Sequence, residues 1–567
     1  MQFQLLQVSS GGKDAQGPLV YLSGRSAAGR SVVAVVQGSC PYLCIKLEHG
    51  LLHPKTSAPN TRIIDLLLRE LNTHLNRTVP RWGKYACFHK SRDGSDLVRK
   101  SEVVFVRDYY GYSPEKHPYL KVHFGSASAL TSARFSLLAL AGNKERTALT
   151  SAENLQLLFP NAPAEAIRRC LTDAPRAPYD TFAFTLAEAN IEHHNQFCAD
   201  RGVNPGRWVT VRDVKLWEPS CKLTKAQHEL HVRVNDVKPA DVDGSAPIRV
   251  LSFDLETFCT DLGNGATRFY DGNDPRAKIL CISAVAFDYT SKQIAGRVFS
   301  LGNAAGAEEL RTSNGADAFT VEWFTTETEM IRAFIEHLKR YDPDIVTGWN
   351  TVGSAKAFDW MFLYKRCLVL DTGRPGSLLD ALKSTGRWGQ TKFHVDEKTG
   401  LWSERARIPI VMPGRIVHDM MLWTKRNKNL REYNLNFVAE AFKCGEKDDV
   451  SYNQIDGLSR THEGRKKLAV YCELDSRLVC KLMLCNELDP IGKTVALSAI
   501  TGCPLEDLIF KGSMNSLRLC LLRVSHRNGF VLSCPSYAEA DAADEPTETV
   551  EVVDDGGDPV ARYQVRC

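Results

Sequence analysis

The chain has 567 residues, of which 43% are hydrophobic, and its 71 Lys and Arg against 67 Asp and Glu give a formal charge of +4. At roughly 150 residues per domain, this length predicts three or four domains. The near balance of charge excludes a polyanion-binding surface that extends over the whole chain, so any such surface must be local. The 17 cysteines include no CxxC pair, and we interpret them as reduced thiols of an intracellular protein. Because no signal peptide and no run of about 18 apolar residues occurs, we expect a soluble protein without a membrane partner.

Residues 1–245 carry the hairpin signals of a sheet-rich N-terminal domain of mixed α/β type. Apolar runs flank a Gly-rich turn in "PLVYLSGRSAAGRSVVAVVQGSCPYLCIKLEH", and a second pair follows in "LVRKSEVVFVRDYYGYSPEKHPYLKVHFG". After residue 245 strands alternate with helices. This pattern predicts strands at 249–259, 277–288 and 344–350 and helices at 325–341 and 464–486. Thr326, with Glu329 three residues later, forms a capping box that predicts where the first of these helices begins.

Three stretches interrupt or end this α/β pattern. Residues 257–276 and about 370–402 are rich in Gly, Asp, Thr and Lys, which predicts loop insertions. The last stretch, 536–567, contains an acidic run without a basic residue at 538–558. We expect this tail to be mobile and solvated, because like charges repel and few apolar residues oppose them.

The segment "RVLSFDLETFC" places two carboxylates on one face of a strand. Asp254 and Glu256 are two residues apart, and strand side chains alternate between faces with period 2. The segment "GRKKLAVYCELDSRLVCKLMLCN" places Asp475 on an otherwise apolar helical face, one turn from the hydroxyl of Tyr471. Asp359 follows the strand at 344–350, at an end where open α/β sheets form their sites.

Each of these acids has an ordinary interpretation when it is taken singly. Asp254 and Glu256 also fit half-exposed strand positions, and Asp475 also fits an ion pair with Lys or Arg or a capping role. Taken together, four acids in one cleft carry a formal charge near −4, which two divalent cations would nearly neutralise. Hard carboxylate oxygens attract Mg²⁺ or Mn²⁺. The four acids together therefore favour a metal site.

The order "FDLET", "GWN…FDW", "YCELD" resembles the three exonuclease motifs of the family B DNA polymerases. Neighbouring blocks, among them "GRIVHDMMLW", "NLREYNLNFVAEAF" and "VALSAITGCPLEDLIFKGSMNSLRLCLLRVSHRNGFVLS", resemble the delta-type and large-DNA-virus branches. The resemblance implies a family B type N-terminal domain over 1–245 and an α/β, RNase H-like 3′→5′ exonuclease domain over 246–487. Residues 488–535 would then lead toward a palm domain that this chain lacks, because neither "SLYPS" nor "YGDTDS" occurs in it.

The resemblance also implies roles for individual residues. Two ions, Mg²⁺ or alternatively Mn²⁺, would be held by Asp254, Glu256, Asp359 and Asp475, and Tyr471 would orient the attacking water. Asn350 and Phe358 would contact the substrate, the 3′-terminal nucleotide of DNA. The role of Asp359 depends on an apparent insertion, "TVGSAK" plus Ala357, between Asn350 and Phe358.

Other residues near these motifs have weaker signals. The aromatic rings of Trp349 and Trp360 fit a stacking platform or, more commonly, a core. The basic clusters at 424–431 and 464–467 could follow a DNA backbone, but a solvated face is the commoner role of such clusters. Residues 391–415 look like a strand, a turn and a strand, at a place where the family often has a strand-parting hairpin.

These observations predict the N-terminal and proofreading portion of a replicative DNA polymerase, a 3′→5′ exodeoxyribonuclease. The expected partners are DNA, as a single-stranded 3′ end and a primer–template, and replication accessory subunits. The expected location is intracellular, and nuclear where replication is nuclear. Two alternatives stay open: an inactive exonuclease fold that binds DNA or a partner, and a free-standing 3′→5′ nuclease.

Overall fold

A computed structural model describes most of the chain. The described residues are 1–14, 17–47, 51–52, 58–59, 61–78, 98–109, 114–142, 156, 163–165, 167, 184–212, 215–216, 222–263, 266–312, 315, 317–352, 358–370, 376–396, 401–403, 408–446, 450–532, 548–553 and 559–565. They fall into two compact units. Unit 1 contains residues 1–41, 125–127 and 191–528, and unit 2 contains residues 42–124, 128–190 and 529–567.

The strands and helices are numbered in chain order. The strands are β1 Gln2–Asp14, β2 Gly17–Arg25, β3 Ser31–Gln37, β4 Tyr42–Leu47, β5 Val98–Asp108, β6 Lys116–Phe124, β7 Phe184–Ala187, β8 Trp208–Val211, β9 Lys215–Leu216, β10 His228–Arg233, β11 Val237–Pro239, β12 Arg249–Thr257, β13 Thr260–Gly263, β14 Ala266–Arg268, β15 Ile279–Asp288, β16 Ile294–Leu301, β17 Gly306–Arg311, β18 Ala318–Phe324, β19 Ile345–Thr347, β20 Lys392–Phe393, β21 Ile410–Val411, β22 Ile416–Val417, β23 Phe530–Val531, β24 Glu548–Val553 and β25 Pro559–Val565. The helices are α1 Thr61–Thr78, α2 Ala127–Gly142, α3 His193–Arg201, α4 Glu327–Tyr341, α5 Asp359–Leu370, α6 Leu378–Lys383, α7 Met420–Asn427, α8 Leu435–Ala441, α9 Tyr452–Ser459, α10 His462–Leu484, α11 Pro490–Thr501, α12 Leu505–Phe510 and α13 Ser513–Arg527.

Unit 1 contains two seven-stranded sheets. The first is built from the N-terminal strands in the order β11-β8-β1-β2-β3-β10-β9. The second has the order β17-β18-β16-β15-β12-β19-β22. In the second sheet β12, β15 and β16 form an antiparallel meander, while β19 and β22 run parallel to β12. The five adjacent strands β16-β15-β12-β19-β22 therefore have the 3-2-1-4-5 order of an RNase H-like fold, as expected from the sequence.

Helices cover both faces of this second sheet. On one face Phe253 of β12 packs against Phe334 of α4 and Trp360 of α5, with ring centroids 5.7 Å and 4.7 Å apart. On the other face α10 packs along β15, where Ser283 and Ser476 hydroxyls lie 2.7 Å apart. Because β12 alternates its side chains between these faces, Asp254 and Glu256 point toward the α10 side.

The sequence predictions of these elements are largely confirmed. The strands at 249–259 and 277–288 correspond to β12 and β15, and the helix at 325–341 corresponds to α4. The Thr326 hydroxyl accepts a hydrogen bond from the Glu329 N–H at the start of α4, as the capping box predicts. The predicted insertion at 257–276 contains the short β13–β14 hairpin, and β20 pairs with β21 in the predicted strand–turn–strand segment.

Unit 2 is a split βαββαβ arrangement with a fifth strand. Its sheet has the order β23-β5-β6-β4-β7, so β7, β4, β6 and β5 follow a 4-1-3-2 order. The fifth strand comes from far along the chain. Val531 is buried beside Tyr42 and Tyr119, and the Glu188 N–H donates to the Leu532 carbonyl. Residues 529–532 thus return to the N-terminal half of the chain, which the sequence analysis did not predict.

The acidic tail and the domain bounds are only partly addressed by the described residues. Within 536–567 the strands β24 and β25 pair antiparallel, and the other residues of the predicted mobile tail lie outside the described residues. The two compact units divide the chain at other positions than the predicted domain bounds at residues 245, 487 and 535. Those domain bounds remain a prediction.

A buried cluster of ion pairs lies at the start of β19. Arg387 donates to Asp342 and Asp344 at 2.9 Å and 2.8 Å, and Arg415 donates to Asp342 at 2.8 Å. Arg25 of β2 also pairs with Asp344. All three arginines are buried. Burial would raise the pKa of Asp342, but the charges of Arg387 and Arg415 outweigh it and lower that pKa to about 2.

This cluster predicts an acid-sensitive stability. Because the pKa of Asp342 is lowered on folding, its contribution of about 2 kcal/mol is present above pH 4 and is lost as the pH falls through 2. Urea titrations between pH 5 and pH 2 should therefore show a steeper loss of unfolding free energy in the wild type than in Asp342→Asn. Equal slopes of unfolding free energy against pH in the two proteins would contradict the lowered pKa of Asp342.

Candidate active site

Three carboxylates converge at the carboxyl end of β12. One oxygen each from Asp254, Glu256 and Asp475 lies within 4.8 Å of the other two. Glu256 is buried, and Asp254 and Asp475 are half-buried. The structure thus brings together the paired strand acids and the helix acid that the sequence singled out.

The strand acids owe their position to the pairing of β12. Asp254 lies opposite Ser283 and Glu256 opposite Cys281 on β15, and the register shifts after Glu256. On the other side, the pairing with β19 ends at Ser252. Beyond this pairing, the Leu255 N–H of β12 donates to the carboxylate of Asp359 and not to β19.

Helix α10 holds Asp475 in place through its own buried contacts. Arg477 donates to the Glu473 carboxylate at 2.9 Å and 2.7 Å, and both side chains are buried. Gly296 of β16 allows this close approach, because a Cβ there would lie 2.2 Å from Glu473 Oε1. Burial raises the pKa of Glu473 in spite of its arginine partner. These contacts fix the rotation of α10, and so the direction of Asp475.

Asp359 lies beside the three-carboxylate group. It is the first residue of α5, is 5% exposed, and its carboxylate accepts hydrogen bonds from its own N–H and from that of Leu255. Burial, together with the charges of Asp419 and Asp475, raises the pKa of Asp359 to about 8. A nearby cation would oppose this shift, since it favours the charged carboxylate.

The apparent insertion before Asp359 is closed at its base. The Phe358 N–H donates to the Asn350 carbonyl at 3.2 Å, and Asn350 has a positive φ of 58°. Residues 353–357, which make up most of the insertion, lie outside the described residues. The hydrogen bond across the base and the Leu255 contact keep Asp359 next to β12.

The remaining predicted site residues lie close by along the chain. Tyr471 is half-buried on α10, one turn before Asp475. Phe358 is 39% exposed, and its ring lies 4.9 Å from that of Phe362. Trp360 is fully buried against Phe253, so the stacking-platform interpretation of this residue is wrong and it belongs to the core.

The basic clusters have partners within the protein. Arg465 donates to the Ser459 carbonyl and to Asn303, and Lys466 pairs with Glu308 at 3.0 Å. Arg426 donates to the Ile509 carbonyl. These contacts support the ordinary interpretation of both clusters as surface residues.

The sequence analysis missed Asp419 and Cys472. Asp419 is fully buried and accepts from the N–H groups of Val352, at 2.9 Å, and Leu422, at 3.0 Å. It thereby caps α7 and holds the segment that leads toward Asp359. An acid just before an apolar helical run is a helix-start signal that could have identified it. The buried Cys472 thiol lies 3.5 Å from the Asp254 carbonyl and 3.8 Å from its carboxylate, and burial raises the pKa of this thiol.

The carboxylate group fits a hard divalent cation. Its donors are all carboxylate oxygens, which Mg²⁺ and Mn²⁺ prefer. The oxygens lie within 4.8 Å of one another, and two ligands of one Mg²⁺ are at most about 4.2 Å apart because Mg–O bonds are about 2.0–2.1 Å long, so small side-chain rotations bring these oxygens onto one ion. The residues present therefore fit the metal that the sequence predicted.

Comparisons with known proteins agree with this fold. Residues 184–438 match the family model described as the exonuclease domain of DNA polymerase family B, and residues 38–131 match the delta catalytic subunit-like N-terminal domain. Two separate regions of the chain thus match domains of family B DNA polymerases.

Its relatives include delta-type and viral polymerases. The DNA polymerase delta catalytic subunit of Mesocricetus auratus is 27% identical over 67% of this chain and 32% of its own length, and that of Arabidopsis thaliana is 24% identical over 92% and 41%. The catalytic subunit of Psittacid herpesvirus 1 is 26% identical over 61% and 31%. The chain thus spans about a third to two fifths of these relatives.

A solved structure supports the fold over nearly the whole chain. The family B DNA polymerase of Pyrobaculum calidifontis superposes with a TM-score of 0.58 at 19% identity, covering 98% of this chain and 53% of that one.

Among the described residues, no helix is both long and apolar enough to span a membrane.

Proposed function

We propose that this chain is a Mg²⁺-dependent 3′→5′ exodeoxyribonuclease that removes 3′-terminal nucleotides from DNA during replication. The observation that carries the proposal is the convergence of Asp254, Glu256 and Asp475 on one point, with Asp359 beside them. The matches to domains of family B DNA polymerases add a polymerase context. The intact acids of all three motifs argue against the alternative of an inactive exonuclease fold.

The carboxylates divide between two metal positions in this proposal. Asp254, Glu256 and Asp475 would hold the first ion, and Asp254 and Asp359 would place the second. When bound, the ions supply Lewis-acid stabilisation of the charge that develops on the phosphoryl oxygens. The protein contributes rigidity: the strand, the two helices and their buried contacts hold the four acids before substrate arrives.

The other site residues bind and orient the substrate. The hydroxyl of Tyr471 both donates and accepts hydrogen bonds, so it can align the water that attacks the terminal phosphate. The exposed ring of Phe358 offers a stacking surface for a base, and Asn350 lies next to it at the base of the loop. DNA and replication accessory subunits are the proposed partners, and the proposed location is where the genome replicates, in the nucleus for nuclear replication.

The proposal is tested with a single-stranded DNA oligonucleotide carrying a label at either end. With Mg²⁺, a 3′ label should be released as mononucleotide in the first turnover, whereas a 5′ label should appear in a ladder that shortens by one nucleotide at a time. Chelation should stop both. Internal cuts, or release of a 5′ label first, would contradict a 3′→5′ exonuclease.

The 567-residue chain is expected not to extend a primed template. The sequence motifs that would bind an incoming deoxynucleotide are absent from it. Primer extension with all four deoxynucleotides over a range of Mg²⁺ concentrations should show shortening and no lengthening. Template-dependent incorporation that survives repeated purification would contradict this prediction.

A further inference from the structure

We propose that Arg366 is a positioning residue, which acts through Asp359 by fixing helix α5 to the segment that follows β12. The inference rests on the proposed function, because it concerns the acid that would place the second metal ion. Arg366 lies seven residues after Asp359, about two turns along the same face of α5. Arg366 is only 3% exposed. Because arginine is rarely buried without partners, its guanidinium contacts indicate its role.

One side of the Arg366 guanidinium forms a bidentate pair with Glu327. Nε donates to Glu327 Oε1 at 2.9 Å and Nη2 donates to Oε2 at 2.7 Å. Glu327 is itself 7% exposed and lies in the first turn of α4. Its Oε1 also accepts from the Ile279 N–H at 2.9 Å. Ile279 pairs with Thr257, so this carboxylate links α5 to the strand beside Asp254 and Glu256.

The remaining nitrogen of Arg366 contacts the backbone between β12 and β15. Nη1 donates to the Gly272 carbonyl at 3.2 Å and to the Asp274 carbonyl at 3.4 Å. Gly272 lies directly on α5, because a Cβ there would be 3.0 Å from the Phe362 carbonyl oxygen. Lys365 pairs with Asp271 at 2.6 Å in the same segment.

These contacts give α5 a defined height and rotation relative to β12. The start of the helix is held by the bond between the Asp359 carboxylate and the Leu255 N–H, and its middle is held by Arg366. A helix of three turns moves nearly as a rigid rod, so a shift at Arg366 displaces Asp359. A displacement of about 1 Å can cost about 10²-fold in rate when catalytic geometry is strict.

Lysine at this position would keep the charge but lose the geometry. Its single ammonium cannot donate in parallel to both Glu327 oxygens and also reach the two carbonyls, since only guanidinium has this planar fork. Arg366→Lys is therefore expected to lower the turnover of 3′ cleavage about 10-fold or more, with the KM for the oligonucleotide within about threefold.

A double-mutant cycle separates positioning from simple stability. If Arg366 acts through Asp359, Arg366→Lys should have little further effect, less than about twofold, in an Asp359→Asn background. A second readout is Mn²⁺ binding followed by electron paramagnetic resonance. Arg366→Lys and Asp359→Asn should each lower the affinity for one of the two Mn²⁺ ions and leave the affinity for the other unchanged.

Arg387→Lys is the matched control. Arg387 is equally buried and also pairs with carboxylates, but it lies in the ion-pair cluster at the start of β19. It should lower the melting temperature without changing turnover or the Mn²⁺ stoichiometry. If Arg366→Lys does not fold, Glu327→Gln takes its place in the same cycle. The Glu327→Gln change removes the negative charge and one acceptor oxygen from the pair with Arg366.

The outcomes are distinguishable. Additive losses in the cycle, unchanged Mn²⁺ binding, or a turnover of Arg366→Lys equal to that of the wild type would overturn the positioning role while the proposed function stands. A wild-type chain that does not release 3′ nucleotides at all would overturn the proposed function and this inference with it.

Discussion

Replacing Asp254 and Glu256 together with alanine is expected to abolish 3′ cleavage, with a loss of at least about 10³-fold. The two side chains supply most of the oxygens that would hold the first ion, and loss of one electrostatic stabiliser alone costs about 10²- to 10³-fold. Binding of a single-stranded oligonucleotide should stay within a few-fold, because these acids bind ions and do not form the walls of a groove. Release of a 3′ label and fluorescence anisotropy measure the two quantities.

The control for this double variant is Asp261→Ala. Asp261 is an exposed acid on the β13–β14 hairpin, only five residues from Glu256, and its carboxylate accepts from the Gly263 N–H. It should leave cleavage unchanged. If the double variant instead lost binding and cleavage in equal measure, Asp254 and Glu256 would have a structural role and the metal assignment would be wrong.

Asp359→Asn is expected to lower cleavage by at least about 10²-fold while oligonucleotide binding hardly changes. The asparagine amide keeps an oxygen that can accept from the Leu255 N–H, but it removes the charge that would place the second ion. Single-turnover cleavage compared with that of the wild type is the measurement. The result also tests whether the insertion after Asn350 leaves this acid in the site.

Tyr471→Phe and Asp475→Asn are the comparison variants for Asp359→Asn, with a smaller and a larger expected loss of cleavage. Tyr471→Phe removes only a hydroxyl that would align water, so it should cost less than the loss of any metal ligand. Asp475→Asn should be nearly inactive. A silent Asp359→Asn beside an inactive Asp475→Asn would mean that the site works without Asp359, with one ion or another acid.

Much of the site could be predicted from local sequence patterns. The period of 2 in β12 places Asp254 and Glu256 on one face, whatever lies around them. Helical spacing likewise places Tyr471 one turn from Asp475. These relations depend on residues a few positions apart, which is why the sequence alone was sufficient to pair them.

Contacts between distant segments could not be predicted in this way. The pair of Arg366 with Glu327 joins residues 39 apart, and the bond of Asp419 to the Val352 N–H joins residues 67 apart. Residues 529–532 complete the sheet of unit 2 through contacts with strands several hundred positions earlier. Such contacts follow from the tertiary packing of whole helices and strands, and the local spacing of residues in the sequence does not predict them.

The most direct test of the metal assignment is anomalous scattering from crystals of the wild-type chain soaked in Mn²⁺. We expect one Mn²⁺ peak bounded by Asp254, Glu256 and Asp475, and a second between Asp254 and Asp359. In crystals of Asp359→Asn the second peak should weaken while the first remains. Peaks that avoid these carboxylates, or no peak at millimolar Mn²⁺, would contradict the assignment of this cluster as a metal-dependent nuclease site.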